Sequence, residues 1–472
     1  MVSNGTRKQR HAATNNETAF IRQEDAPILP PPITSAGPAG WLYENIFASM
    51  LDYSTLGAAV KSIFMAIFTA FVAYIFVGQV YGLLDFAIFS AVWQDPEEQK
   101  RQVCWTVEQG GKLPNGWHGA CWPYIIAKTK FILYGAYPNE SLWRVNSTYL
   151  LGAILLGWVM IDRLPYRKFV GAVLLTIYPI FATVMLTGGG FGLSQFSVGV
   201  NTILGLALIS FGRAGKMGWI TGPLLDLSKV AGVAGWFFIF FAAALVSVGV
   251  DFDLSKVDTR DWGGLLITLV VATTAIVVSL PLGILLALGR RSNLPVARTL
   301  SIIFIEFWRG VPLITVLFMA SVMIPLFMPE GVNFDSLLRA LIGVTLWQSA
   351  YMAEVIRGGL QAIDKGQYEG ADAVGLSYWQ SMRLIILPQA LTRVLPGIVN
   401  TIISVFKDTS LVSIVGLFDL LGATQSTIAD AAWSTPVQAS TGYLVVALIF
   451  FVFCFGMSRY SMYIERKLDR GH

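Results

Sequence analysis

Two adjacent ionisable side chains, Lys407 and Asp408, sit with Thr409 well inside an apolar run that begins near Pro396. A lone charge at mid-bilayer costs at least ~2.5–3.5 kcal/mol, so such residues usually face a partner or a water-filled path. They are candidates for lining or gating a route for a polar solute; the alternative is a structural ion pair, or side chains that snorkel. A second pair, Glu354 and Arg357, is three residues apart and therefore occupies neighbouring positions on a helix face. Arg309 marks the entry to a span that Gly310 and Pro312 would interrupt. These three are read as positioning a neighbouring loop, with a local ion pair or an interfacial anchor as the alternative. Covalent chemistry has no foothold. Gly212-Arg213-Ala214-Gly215-Lys216-Met217 lacks the glycine spacing and the Ser or Thr of a phosphate-binding loop. His11, His118 and His472 form no metal-ligand spacing, and no Ser or Cys nucleophile has a base in sequence context. No enzyme activity, metal or cofactor is expected.

The elements that must hold these residues follow from composition. Hydrophobic residues make up 55% of the 472 and charged residues 13%, with a mean hydropathy of +0.62. Apolar runs of about 20 residues, each enough to cross the bilayer as helix, recur along the chain. The fold expected is all-α and polytopic, and a β-barrel is excluded because its strands would alternate. The net charge of +4 is too small to indicate nucleic-acid binding. About ten spans are expected, near 58–84, 148–161, 169–187, 198–211, 231–250, 262–289, 311–328, 336–359, 388–406 and 441–458. The fourth is short enough to be re-entrant.

Basic residues orient these spans. They collect in the connections 162–168, 212–230 and 290–298 and in the C-terminal tail, whereas 251–261 is acidic. Ten spans place every basic connection with both termini in the cytoplasm. The external loop 94–147 carries six basic residues against this trend, but long loops translocate largely regardless of charge. Within it Cys104 and Cys121 bracket a polar, Gly-containing stretch. In an oxidising compartment they are either a disulfide, which would contribute about 3 kcal/mol, or two separate thiols. Cys454 lies in the last apolar segment and reads as packing. Residues 1–40, polar and then Pro-rich, read as a disordered cytoplasmic tail. A boundary near 251–262 separates an N-terminal membrane extension, 41–261, from a motif-bearing half, 262–472.

The most informative stretch is 348–411. Between its spans lies a polar loop, 361–388, read as two short helices on the cytoplasmic side. The first runs from Gln367 to Val374, with Gly375 where a left-handed C-cap is expected. Ser377 and Gln380 have the form of a capping box, so a second helix should begin at Tyr378 and end or turn at Pro388. A short helix held off the membrane between two turns suits docking into a groove on another protein; a merely solvated connection is the alternative.

Glu369-x-Ala371, then Gly375, nine residues, and Ile385-x-Leu387-Pro388 resembles the EAA loop of binding-protein-dependent ABC importer permeases. The motif's usual second Ala is Gly370 here, which costs helix stability up to ~1 kcal/mol. Ala350-Tyr351-Met352-Ala353-Glu354 with Arg357-Gly358-Gly359, Lys407-Asp408-Thr409-Ser410-Leu411 and Arg309-Gly310-Val311-Pro312 resemble the polar amino-acid subfamily. The resemblance covers roughly 262–472 as a five-helix core, and the long extension is most like that of the larger permease of general L-amino-acid systems. It implies a multi-pass protein of the bacterial inner membrane that passes L-amino acids from a periplasmic amino-acid-binding protein by alternating access. Its implied partners are two copies of an ATP-binding subunit and a second, related permease in the surrounding lipid. Glu369, Gly370, Ala371, Gly375, Leu387 and Pro388 would form the ATPase-coupling loop. The competing function is an ion-coupled secondary amino-acid transporter, which has no reason to keep such a loop.

Overall fold

A computed structural model describes residues 56–94, 102–190, 195–219, 223–328 and 335–469. The expected tail 1–40, His11 and His472 lie outside the described residues. The chain divides into two units, Met1–Asp85 and Phe86–His472.

The described part of the first unit is one helix, α1 (Leu56–Leu84), which runs into a π turn at Asp85–Phe89. Its 29 residues have no internal proline, and Lys61 is its one charged side chain. An apolar surface all round is what hydrocarbon requires of a helix.

The second unit begins with α2 (Trp122–Tyr134), α3 (Leu142–Met160), α4 (Arg167–Thr187), α5 (Gln195–Lys216) and α6 (Pro223–Gly249). Next come α7 (Leu265–Arg291), α8 (Pro295–Gly310), and α9, made of Leu313–Phe318 and Ile324–Leu326 around a π turn. After α10 (Ser336–Gln361) and α11 (Lys365–Ala373) comes α12, in which a π turn joins Tyr378–Ser381 to Leu387–Arg393. α13 (Leu395–Asp408) continues as a 3-10 turn over Thr409–Val415, followed by α14 (Leu420–Ile428) and α15 (Gln438–Asp469). No strand occurs among the described residues, only isolated bridges.

A helix lies at each of the ten expected spans, yet among the described residues seven helices are long and apolar enough to cross a membrane, or eight if α8 and α9 form one bent span. Two of the expected spans, α3 and α10, carry too much polarity. Arg144 and Thr148 in α3, and Gln348 and Ser349 in α10, are buried among protein neighbours. Their polarity is turned away from lipid, so hydropathy understates them. The expected span at 311–328 is the far limb of a pair bent by 104°, with the break at Gly310 and Pro312, the expected point of interruption. α8 begins within the basic connection expected at 290–298 and runs on to Gly310, where no span is expected. The fourth span is a 22-residue helix, longer than expected.

Helices meet through small residues, as they must where lipid is as apolar as leucine. α5 and α6 approach so closely that a Cβ at Gly212 would lie 2.6 Å from the Cα of Gly232, and one at Gly235 2.7 Å from the Gly205 carbonyl. α7 packs on α10 and α9 through Leu266, Ile267, Val271, Ala275, Ala340, Val344, Val316 and Leu317.

At one end of the unit, residues 102–134 form a cap. Cys104 and Cys121 are joined by a disulfide, with Cα atoms 6.0 Å apart. The cap sits on the connection between α14 and α15: the Cys121 N–H donates to Thr441 Oγ1 (3.2 Å), Tyr124 bonds Thr427 (2.7 Å) and Lys128 pairs with Asp430 (2.6 Å). The expected external loop 94–147 is therefore largely structured. It contains α2, and α3 begins at Leu142, ahead of the expected 148. At the far end of α15, Lys467 pairs with Asp162 (2.7 Å) in the α3–α4 turn, and Tyr463 donates to the same carboxylate.

Candidate functional site

At the end of the unit opposite the cap, α11 and α12 form an arm between α10 and α13. α11 starts at Lys365 and finishes at Ala373, two residues earlier at its start and one at its end than the sequence pattern predicts. Gly375 takes φ +75, and its N–H and that of Leu376 close on the carbonyls of Asp372 (2.9 Å) and Ala371 (3.1 Å). This left-handed turn reverses the chain, and a residue with a Cβ is strained there. Ser377 and Gln380 form the capping box that starts α12 at Tyr378.

Pro388 does not end this helix. The π turn over Met382–Ile386 places Pro388 in the first turn of the following α-helical segment, where the missing N–H costs little. The chain breaks at Val394 instead, and the expected span at 388–406 begins at Leu395.

Within the arm Glu369 and Gly370 are exposed, Ala371 is buried, Leu387 is half-buried and Pro388 is exposed. Apart from the adjoining backbone and chain neighbours, no heavy atom lies within 4 Å of a Cβ built on Gly370 or Gly375. The arm also exposes large apolar side chains: Val374 (72% exposed), Tyr378 (50%), Trp379 (63%) and Leu384 (63%). Its base is tied down. Gln389 donates to Gln367 (2.9 Å), and Arg393 donates to the Ala362 carbonyl and pairs with Asp364 (3.7 Å). A single Arg291 nitrogen, Nη1, donates to the Leu360 carbonyl (2.8 Å) and to Tyr368 Oη (2.9 Å). A cleft of about 420 Å³ opens beside it, lined by Arg291, Leu360, Ile363, Lys365, Tyr368 and Glu369.

Above the arm, Arg309, Glu354 and Arg357 come together in one cluster. Glu354 pairs with Arg357 (2.7 Å), Arg290 (3.1 Å) and Arg309 (3.3 Å), so one carboxylate joins the ends of α7, α8 and α10. Arg290 also pairs with Glu306 (2.8 Å), and the Arg309 guanidinium lies 5.8 Å from the Tyr351 ring. Sequence reasoning found three members and missed Arg290 and Glu306. No local signal existed for them, because Arg290 is 64 residues from Glu354.

Lys407, Asp408 and Thr409 stand apart from both groups, where α13 gives way to the 3-10 turn. The 14 residues of α13 put them about 20 Å from its start. Lys407 is exposed, Asp408 half-buried and Thr409 buried. Thr409 Oγ1 donates to the Phe406 carbonyl (2.8 Å) and Ser410 Oγ to that of Lys407 (2.9 Å). Neither charged residue makes an ion pair among the described residues. Cys104 and Cys121 are remote from all of these, in the cap. The described residues hold no group of three or more His, Cys, Asp or Glu side chains able to bind a metal.

A family described as "Binding-protein-dependent transport system inner membrane component" matches residues 279–470. The inner membrane amino-acid ABC transporter permease protein YhdY of Escherichia coli (strain K12) is 45% identical over 353 residues, 75% of this chain and 79% of that protein. The glutamate/glutamine/aspartate/asparagine transport system permease protein BztC of Rhodobacter capsulatus is 40% identical over 467 residues, 97% of this chain and 100% of that protein. Among solved structures, the crystal structure of an amino acid ABC transporter with histidines matches 43% of this chain and 92% of that chain at 29% identity, with a TM-score of 0.39.

Proposed function

The chain belongs to the family of amino-acid ABC transporter permeases, and from that premise we propose that it carries L-amino acids inward while a separate subunit hydrolyses ATP. In this reading the arm, 361–388, docks into the ATP-binding subunit. The observation that carries it is the pairing of exposed large apolar side chains, Val374, Tyr378, Trp379 and Leu384, with a base tied by Gln367–Gln389 and by Arg393. Such side chains on a short, fixed helix pair are costly in water and useful against a groove. The hub of Glu354 with Arg309 and Arg357 positions the arm. Lys407, Asp408 and Thr409 line or gate the route.

The assembly proposed has two ATP-binding subunits, this chain paired with a second, related permease, and a periplasmic binding protein that delivers the substrate. The cap end faces the periplasm, where a disulfide persists, and the arm end faces the cytoplasm with both termini. Arg290, Arg291, Arg393 and Lys467 lie at the arm end, as the bias of basic residues towards the cytoplasm requires. Residues 262–472 are the permease core, 41–261 a membrane extension, and 1–40 a cytoplasmic tail. The substrates named for the Rhodobacter capsulatus relative make glutamate, glutamine, aspartate and asparagine the first to try.

The test is uptake into proteoliposomes containing this chain alone, then with its copurifying partners and ATP. Accumulation only in the second case is expected. Gradient-driven accumulation by the chain alone would establish the ion-coupled carrier instead.

A further inference from the structure

α7 ends in two adjacent arginines whose side chains reach in different directions. Arg290 engages Glu306 of α8 and Glu354 of α10. Arg291 reaches down to the arm, where three polar groups close a triangle. Its Nη1 donates to Tyr368 Oη (2.9 Å) and to the Leu360 carbonyl (2.8 Å), and the Tyr368 hydroxyl donates to the same carbonyl (3.2 Å). Leu360 lies in the last turn of α10, where carbonyls have run out of helical donors, so these bonds fill an acceptor otherwise left to water. The guanidinium also lies 5.5 Å from the centre of the Tyr368 ring, within the range of cation–π attraction.

Among the described side-chain hydrogen bonds and ion pairs, the arm's other ties run within the arm or to its flanking segment. Gln367 bonds Gln389, and Arg393 bonds Ala362 and Asp364. The tie from Tyr368 to Arg291 is the one that reaches α7. A displacement of α11 therefore pulls directly on the last residue of α7. The next residue back, Arg290, passes it to α8 and α10 through two carboxylates.

We propose that Arg290 and Arg291, with Tyr368, form the joint that carries movement of the arm into the membrane helices. Arg291 and Tyr368 act as positioning residues for transport. This inference rests on the coupling reading of the arm. It assigns a role to residues outside the EAA-like motif, and it identifies the grip on α7 as a planar guanidinium held by a phenol.

The test uses the complete complex, with ATP-binding subunits and binding protein, in proteoliposomes. The readouts are basal ATP hydrolysis and amino acid moved per ATP, with radiolabelled glutamate, glutamine, aspartate or asparagine, whichever the wild type carries. Arg291→Lys keeps the charge and loses the planar fork, while Tyr368→Phe keeps the ring and loses the hydroxyl. Each is expected to retain basal hydrolysis while amino acid moved per ATP falls roughly 5-fold or more, the span of ordinary coupling between sites. The double variant should be no worse than the weaker single, since both break one contact. An unchanged ratio in both single variants overturns the joint, as does a parallel loss of hydrolysis and uptake that leaves the ratio intact. If Arg291→Lys does not assemble, Tyr368→Phe alone decides. A wild-type complex that moves none of the four amino acids with ATP faults the functional reading rather than the joint.

Discussion

Glu354 holds three guanidinium groups with one carboxylate, and its side chain is 15% exposed. Glu354→Gln removes the paired carboxylate of Arg309 and Arg357 and leaves Arg290 with Glu306 alone. A loss of about 2–3 kcal/mol is expected, the scale of hydrogen bonds to charged groups. Among the described ion pairs Glu306 meets Arg290 alone, and its side chain is 55% exposed, so Glu306→Gln should cost under about 1 kcal/mol. Thermal unfolding of the two variants in detergent checks the order; equal losses would mean that the three-way contact adds nothing. Gly375 gives a second comparison. Its φ of +75 is strained for a β-branched residue but tolerated by Asn, and apart from the adjoining chain no neighbour lies within 4 Å of the added Cβ. Gly375→Val should therefore lose about 1–2 kcal/mol of arm stability and most uptake, while Gly375→Asn keeps more of both. Hydrogen exchange over 365–381, together with uptake, reads this, and equal behaviour would remove the backbone explanation.

At the scale of elements, α11 is a short helix weakened by Gly370, at a position with open space around it. Gly370→Ala should raise protection across 365–373 by up to ~1 kcal/mol without a clash. Unchanged exchange would mean that α11 is held by its ends alone. α15 is tied to the α3–α4 turn through Asp162, whose carboxyl is lowered to about 2 by hydrogen bonds from Lys467 first and Tyr463 second, with Arg167 adding to the effect. A folded pKa below the ordinary value of about 3.9 means that the tie is fully present above about pH 4 and is lost as pH falls towards 2. The thermal midpoint of the wild type should fall through that window more steeply than that of Asp162→Asn. Parallel curves would show that the carboxylate does not stabilise this end.

For the whole molecule, the cap and the arm lie at opposite ends of one unit, so a single labelling experiment orients both. Cys104 and Cys121 are buried as well as bonded, so an impermeant thiol reagent should label them from the periplasmic side once the cap has been both reduced and loosened with denaturant. Labelling only from the cytoplasmic side would invert the proposed topology and remove the arm from reach of an ATPase. Before reduction these two cysteines should not react. Cys104→Ser with Cys121→Ser should weaken the cap by about 3 kcal/mol, the closure entropy of a loop of this size.

Sequence by itself determined the helical class and the positions of the apolar elements, because hydrocarbon imposes its requirement on each segment separately. It also determined the left-handed turn at Gly375 and the capping box at Ser377, because both depend only on residues a few places away. It could not show what shelters the polar residues of α3 and α10: Arg144, Thr148, Gln348 and Ser349 depress hydropathy there, and only packing against neighbouring helices buries them. Nor could it read past Pro388, since the π turn that absorbs the proline leaves no mark on the hydrophobic pattern. Only the tertiary structure brought Arg290, Glu306, Arg309, Glu354 and Arg357 to one point and Arg291 to Tyr368. Local propensity governs neighbours along the chain; which distant side chains share a site is settled by packing helices whose contact residues are far apart in the sequence.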